Sequence, residues 1–374
     1  MTSPASASAS ASVFVSRDGF VASSEAPTAP AAHFGNPLGE QRLLARGRAV
    51  VELGLGVVTV SGPDRLSWLN SITSQLLLGL APGVSTETLV LDQSGRVEHA
   101  ARVVDDGEVT WLLTEPADAA PLAAWLSSMR FMLRVEVADR SAELTTIGWF
   151  GASAPFAAVD LPDTPLAEWV DPWSSVTPGG WGYAALEAHP GSDWTLRIAV
   201  VTPGTSAAIA VSDEPAAGLL AYEALRIAAW RPALSDVDER TIPHELDWLR
   251  SAVHLSKGCY RGQETVAKVH NLGHPPRRVV MLHLDGSDAV LPAPGTPVVL
   301  DEKEVGRLAA SAVHHELGPI GLAIVKRSLD PAATLTLTAD DVVVTATQET
   351  IVPPEAGATA NVPRLPRLGA VRRS

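Results

Sequence analysis

One cysteine, Cys259, is all that 374 residues contain. That excludes an internal disulfide framework, and a lone thiol cannot by itself ligate an iron–sulfur cluster or a cysteine-rich zinc site. No apolar run approaches the roughly 20 residues of a spanning helix, so no membrane partner is expected. Met1 to Val13 is a Ser/Ala repeat without the basic and apolar regions of a signal peptide. The simplest reading is a cytoplasmic protein. Positive charge is scarce, with 28 Lys and Arg against 42 Asp and Glu, a net charge of −14. Broad capture of nucleic acid is therefore disfavoured on electrostatic grounds. The glycines at 54 and 56 do not match dinucleotide-binding spacing. The carboxylate-rich loop with Asp236, Asp238, Glu239 and His244-Glu245 lacks metal-ligand spacing. Neither a nucleotide cofactor nor a metal is expected.

What is present suggests an α+β chain of two or three domains. Residues 1–34, rich in Ser, Ala and Pro, read as a disordered tail. The core spans 35–276 as two intertwined α+β subdomains split near 140. Ala49–Leu53 and Gly56–Val60 read as strands joined by a glycine turn. Ser61-Gly62-Pro63-Asp64 starts a helix. Strands at 89–91, 97–104 and 109–114, a helix after Pro116 and a strand at Phe131–Val137 follow. The expected order is the β-α-β-β-α-β of a ferredoxin-like split unit. Glu214–Trp230 reads as a helix. From 277 to 350, short strands at regular spacing predict an antiparallel β-barrel, and 351–374 reads as a flexible basic tail.

The stretch Lys257-Gly258-Cys259-Tyr260-Arg261-Gly262-Gln263-Glu264 concentrates the chemistry. A lone cysteine is otherwise most simply a small buried hydrophobe. Here, if the segment is extended, Lys257 and Arg261 share a face with Cys259, and a short helix over Thr265–Val269 begins close by. Neighbouring cations and a helix start favour the reactive thiolate. Lys257 to Arg278 carries five positive residues (Lys257, Arg261, Lys268, Arg277, Arg278) against Glu264. That local excess suits an anionic small ligand. His270 and His274, and the pair His314-His315, read as turn residues.

The eight-residue signature resembles that of the YgfZ-type folate-binding proteins, relatives of the aminomethyltransferase (T-protein) of glycine cleavage. Val58–Asp64, Ala224-Leu225-Arg226-Ile227 and Thr241-Ile242-Pro243 resemble other steps of that superfamily. The resemblance implies three domains around a central hole, with a reduced folate such as tetrahydrofolate as ligand. It also implies a role with iron–sulfur client proteins and indirect effects on tRNA modification. Cys259, Lys257 and Arg261 would be the reactive group. Gly258, Tyr260, Gly262, Gln263, Glu264 and Arg226 would shape the loop or hold the ligand. The transferases' acidic pair falls on His99 and Ala100, and their ring-binding glutamate falls on Ala228, which argues against glycine-cleavage chemistry. Two other readings stand beside this one: a folate-dependent one-carbon transferase or demethylase, and a ligand-free interaction scaffold.

Overall fold

A computed structural model describes residues 12–24, 26, 29–184 and 189–360. Two short strands, β1 (Val21–Ala22) and β2 (Ala31–His33), precede helix α1 (Pro37–Ala45). Asn36 caps α1 by accepting from the Gly39 N–H, with proline at the first turn. Strand β3 (Val50–Glu52) follows, then β4 (Gly56–Ser61), α2 (Arg65–Ile72), β5 (Ser85–Leu91), β6 (Val97–Asp105) and β7 (Val109–Thr114). Helix α3 (Ala119–Met129) leads to β8 (Glu136–Asp139) and β9 (Thr145–Phe150).

Strands β4 to β8 form one antiparallel sheet in the order β5-β6-β7-β4-β8. This is the expected split unit with one more strand than β-α-β-β-α-β provides, because β5, β6 and β7 run as a meander. Helices α2 and α3 cover one face through Trp68, Leu69, Leu122 and Leu126, packed on Val58, Val60, Val103 and Leu112. The strands expected to form a glycine-linked hairpin, β3 and β4, lie in different sheets. Leu53 and Leu55 donate to the backbone and side-chain oxygens of Thr146, holding the chain on β9. Gly54, at φ +60°, then turns it away.

The second sheet collects β10 (Ala167–Val170), β11 (Leu196–Val201) and β12 (Ala216–Ala217) in the order β10-β11-β9-β3-β12. Helix α4 (Pro203–Val211) lies between β11 and β12. Helix α5 (Leu219–Ala228) starts later than the sequence suggests, because residues 216–217 pair with β3. Its buried Ala224 and Ile227 join a central cluster with Trp230, Trp248 and Tyr260. After α6 (Gln263–Leu272), strands β13 (Arg277–Leu284), β14 (Pro297–Leu300), β15 (Lys303–His314), β16 (Gly318–Lys326), β17 (Leu335–Ala339) and β18 (Val342–Thr350) close an antiparallel barrel.

The described parts of both flanking segments are fastened to the domains they adjoin. Within 12–34, Phe14 is buried with Trp149 and Phe156, and the Arg17 guanidinium donates to four carbonyls at the end of α4, among them Ala210 and Glu214. These residues are fastened to the second sheet rather than loose. After the barrel, Ile351 and Val352 are buried, and Thr359 and Ala360 donate to the carbonyls of His270 and Asn271. Residues 1–11 and 361–374 lie outside the described residues.

Candidate functional site

The signature is a seam between the first sheet and the rest of the chain. Upstream of it, His254 N–H donates to the Ser74 carbonyl, Ser74 Oγ to the Ala252 carbonyl, and Gln75 Nε2 to the Ser251 carbonyl. Lys257 continues this stitching. Its ammonium is buried and donates to the carbonyls of Asn70 (2.5 Å), Thr73 (2.7 Å) and Gln75 (2.7 Å), closing the C-terminal end of α2. Burial pushes its pKa down to about 8. The same ammonium lies 5.1 Å from the centre of the buried Tyr260 ring, and burial raises the Tyr260 phenol above its ordinary range.

The structure therefore corrects the expected thiol environment. Residues 255–262 are turns, bends and irregular backbone with no strand, so the alternation of a strand that would set both cations beside the sulfur is not formed. Lys257 is committed to three carbonyls. Arg261 is ion-paired with Glu98 at 2.6 Å. Cys259 itself is exposed. Of the two signature glycines, only Gly262 is required by backbone shape. It sits at φ +82° as the residue before α6, and a Cβ there would lie 2.5 Å from the Asp92 carbonyl oxygen. Gly258 has open space around it. Gln263 donates to the Lys257 carbonyl, which ties the two ends of the loop together, and Glu264 is exposed in the first turn of α6.

Arg226 is corrected as well. It is 1% exposed, and its donors go to Glu223, Asp236 and the Arg231 carbonyl. A buried, fully paired guanidinium of this kind holds a fold together and has little left for a ligand. The expected anion site also disperses. Arg278 donates to the Leu329 carbonyl in the barrel, and Arg277 pairs with Asp238 and Glu245. Arg277 does line a cleft of about 600 Å³ with Arg240, Arg307 and Lys326, but Glu245 and Glu304 line it too and Asp238 neutralises Arg277 and Arg307.

A set that sequence reasoning missed lies between the first sheet and the loop after α5. Glu87, Ala100, Arg102, Glu115, Arg231 to Leu234 and Trp248 surround a recess of about 10 Å³, room for one water molecule. Three buried donors there, Arg102 Nε, Arg231 Nη1 and Trp248 Nε1, have no protein partner among the described residues. Unmet buried donors cost stability unless something accepts from them. Arg231 is otherwise held by Glu87 (2.6 Å) and Asp171 (3.0 Å). Both Glu87 oxygens are taken, one by Arg231 and one by Ser251. Glu115 accepts from the Ser235 N–H at 3.0 Å, and burial raises its pKa. The sequence held one hint, an arginine and proline ending the apolar helix α5. Ala100 reaches the recess from β6, whereas His99 pairs with Asp118 (2.6 Å) and lies tilted against Trp125.

Comparison with known proteins bears out the resemblance that the signature suggested. Residues 277–354 match the family description of the CAF17 C-terminal β-barrel domain. Over 293 residues the chain is 24% identical to a protein of Arabidopsis thaliana provisionally described as a chloroplastic transferase. That match covers 75% of this chain and 66% of the relative's length. The fold is that of the glycine cleavage system aminomethyltransferase T from Bartonella henselae, with a TM-score of 0.66 over 90% of this chain and 94% of that one, at 14% identity. Among the described residues, no helix is long and apolar enough to cross a membrane.

Proposed function

We propose that this chain is a folate-binding protein without aminomethyltransferase activity, one that supports the assembly or maintenance of iron–sulfur proteins. The observation that carries the binding half is that three of the residues lining one recess, Arg102, Arg231 and Trp248, each hold a buried donor (Nε, Nη1 and Nε1) without a protein partner among the described residues. The pyrimidine half of a reduced pterin is flat, carries a carbonyl and a ring nitrogen that accept, and carries amide and amine groups that donate. The three donors suit its acceptors and the Glu115 carboxyl suits its donors. In chemistry the set fits. The recess is water-sized as it stands, so ligand uptake requires the wall at Pro232 to Leu234 to move outward, breaking the Ser235–Glu115 hydrogen bond while Arg231 stays on Glu87 and Asp171.

The absence of transferase chemistry rests on β6. Ala100 faces the recess and brings no carboxylate, and the His99 ring is turned to Asp118. Cys259 is the exposed reactive group of this reading, presented on a braced seam. Its partners would be iron–sulfur client proteins, with any effect on tRNA modification passing through them. The test is complementation in a strain lacking the gene. Cys259→Ala should fail to restore the activity of iron–sulfur enzymes while the folded protein accumulates normally. Full restoration would remove the thiol from the function.

A further inference from the structure

The wall of the recess at Pro232 to Ser235 is a short span with both ends fixed. One buried side chain holds both: the Arg226 guanidinium donates to the Arg231 carbonyl at 2.7 Å and to the Asp236 carboxylate at 2.8 Å. Within the span, Ala233 N–H donates to the Asp236 carboxylate (2.8 Å) and Asp236 N–H to the Ala233 carbonyl (3.1 Å). The span is therefore a closed turn that moves as a unit. Across the recess, Ser235 N–H donates to Glu115 at 3.0 Å. Ser235 is exposed, so water can take over this N–H when the turn swings out.

A further tie comes from the barrel. Arg307 on β15 donates through Nη2 to the Asp236 carbonyl at 2.6 Å and through Nε to the Asp238 carboxylate at 3.3 Å. We propose that the turn at Pro232–Asp236 is a gate over the recess, and that Arg307 is the positioning residue by which the barrel holds it shut. The identity of the ligand rests on the folate reading above; the gate does not.

An outward swing pivots on Arg231 and Asp236. Arg231 is fixed by Glu87 and Asp171, so the peptide after Asp236 has to rotate. Its carbonyl is the group that Arg307 holds, and a charge-assisted bond resists that rotation more than a neutral one. The Asp236 side chain stays on Arg226, and without Arg307 the Asp238 carboxylate still has Arg277 at 2.6 Å. The base of the gate therefore survives loss of the barrel tie. A recess that admits only water when shut takes a larger ligand only from its open fraction, which divides into the intrinsic dissociation constant. Loosening the gate strengthens binding. Removing a residue that touched the ligand, or one that merely braced the fold, would weaken it.

The test compares the full-length wild type with Arg307→Met and Arg307→Lys. Amide hydrogen exchange at Ser235 without ligand reads the gate, and titration with tetrahydrofolate reads uptake. In Arg307→Met, Ser235 should exchange about 10-fold faster. The same variant should bind tetrahydrofolate about 3- to 10-fold more tightly, through faster association. Arg307→Lys, which keeps a charged donor, should fall between. Unchanged Ser235 exchange in Arg307→Met would overturn the gate, with or without folate binding. Faster exchange with equal or weaker affinity would overturn its control of uptake. Faster exchange with no saturable binding in the wild type would support the gate and remove the folate reading instead.

Discussion

Gly262 and Gly95 meet backbone to backbone: a Cβ on Gly262 would sit 3.0 Å from the Gly95 Cα and 2.5 Å from the Asp92 carbonyl oxygen. The contact joins the start of α6 to the turn between β5 and β6. It makes the signature a structural joint as much as a reactive loop. Gly262→Ala should destabilise the chain by about 2–4 kcal/mol, combining left-handed strain with an unrelieved clash. Gly258→Ala, at a position with open space, should cost under about 1 kcal/mol. Urea denaturation of both variants checks the pair, and equal losses would contradict the joint.

Lys257 and Arg261 should separate in the same way. Lys257→Met leaves three carbonyls without their donor and should cost about 2–4 kcal/mol. Arg261→Gln removes a partly exposed ion pair and should cost under about 1 kcal/mol. Because neither cation is free to assist the sulfur, the alkylation rate of Cys259 in the folded protein should change by no more than about twofold in either variant. A tenfold slowing would restore the idea of a thiol activated by its flanks.

Acid sensitivity should follow His189. It is 2% exposed, packed between Trp173 and Trp230, and burial with a contribution from Arg250 pushes its pKa down to about 4. The folded state keeps the imidazole neutral, whereas the unfolded chain takes up a proton below about 6.5. The stability it contributes is therefore intact above pH 6.5 and is lost as pH falls towards 4. His189→Asn, whose carbonyl can still accept from the Gly191 N–H, should flatten this loss by on the order of 2–3 kcal/mol. Denaturant midpoints at pH 7, 5.5 and 4.5 read it out. Parallel curves for the variant and the wild type would refute it.

Local patterns were readable in the sequence, and distant pairings were not. The barrel was legible because each of its strands announces itself by composition and by the turns around it. The helix after the signature was legible for the same reason, although it runs over Gln263–Leu272 rather than five residues. The role of Lys257 was not legible, because its three acceptors are more than 180 residues away. Arg226 entered as a ligand residue through the resemblance, and its buried pairing with Asp236, in a loop whose path no periodicity reveals, was not legible. The recess draws on β5, β6, the chain just before α3, the loop after α5 and Trp248. No stretch of sequence carries it, and only folding brings its orphan donors together. The exposed loop at Phe131 reads as a strand because an apolar run with flanking arginines has a strand's composition.

The most direct measurement is an equilibrium titration of the full chain with tetrahydrofolate, followed by tryptophan fluorescence in the wild type and in Arg102→Met, Glu115→Gln and Trp248→Phe. Saturable binding below about 1 mM is expected for the wild type, with Arg102→Met and Glu115→Gln weaker by about 10-fold or more. Trp248→Phe should lose most of the fluorescence change. No saturable signal up to millimolar ligand, or equal affinity in the wild type and both polar variants, would contradict folate binding in this recess.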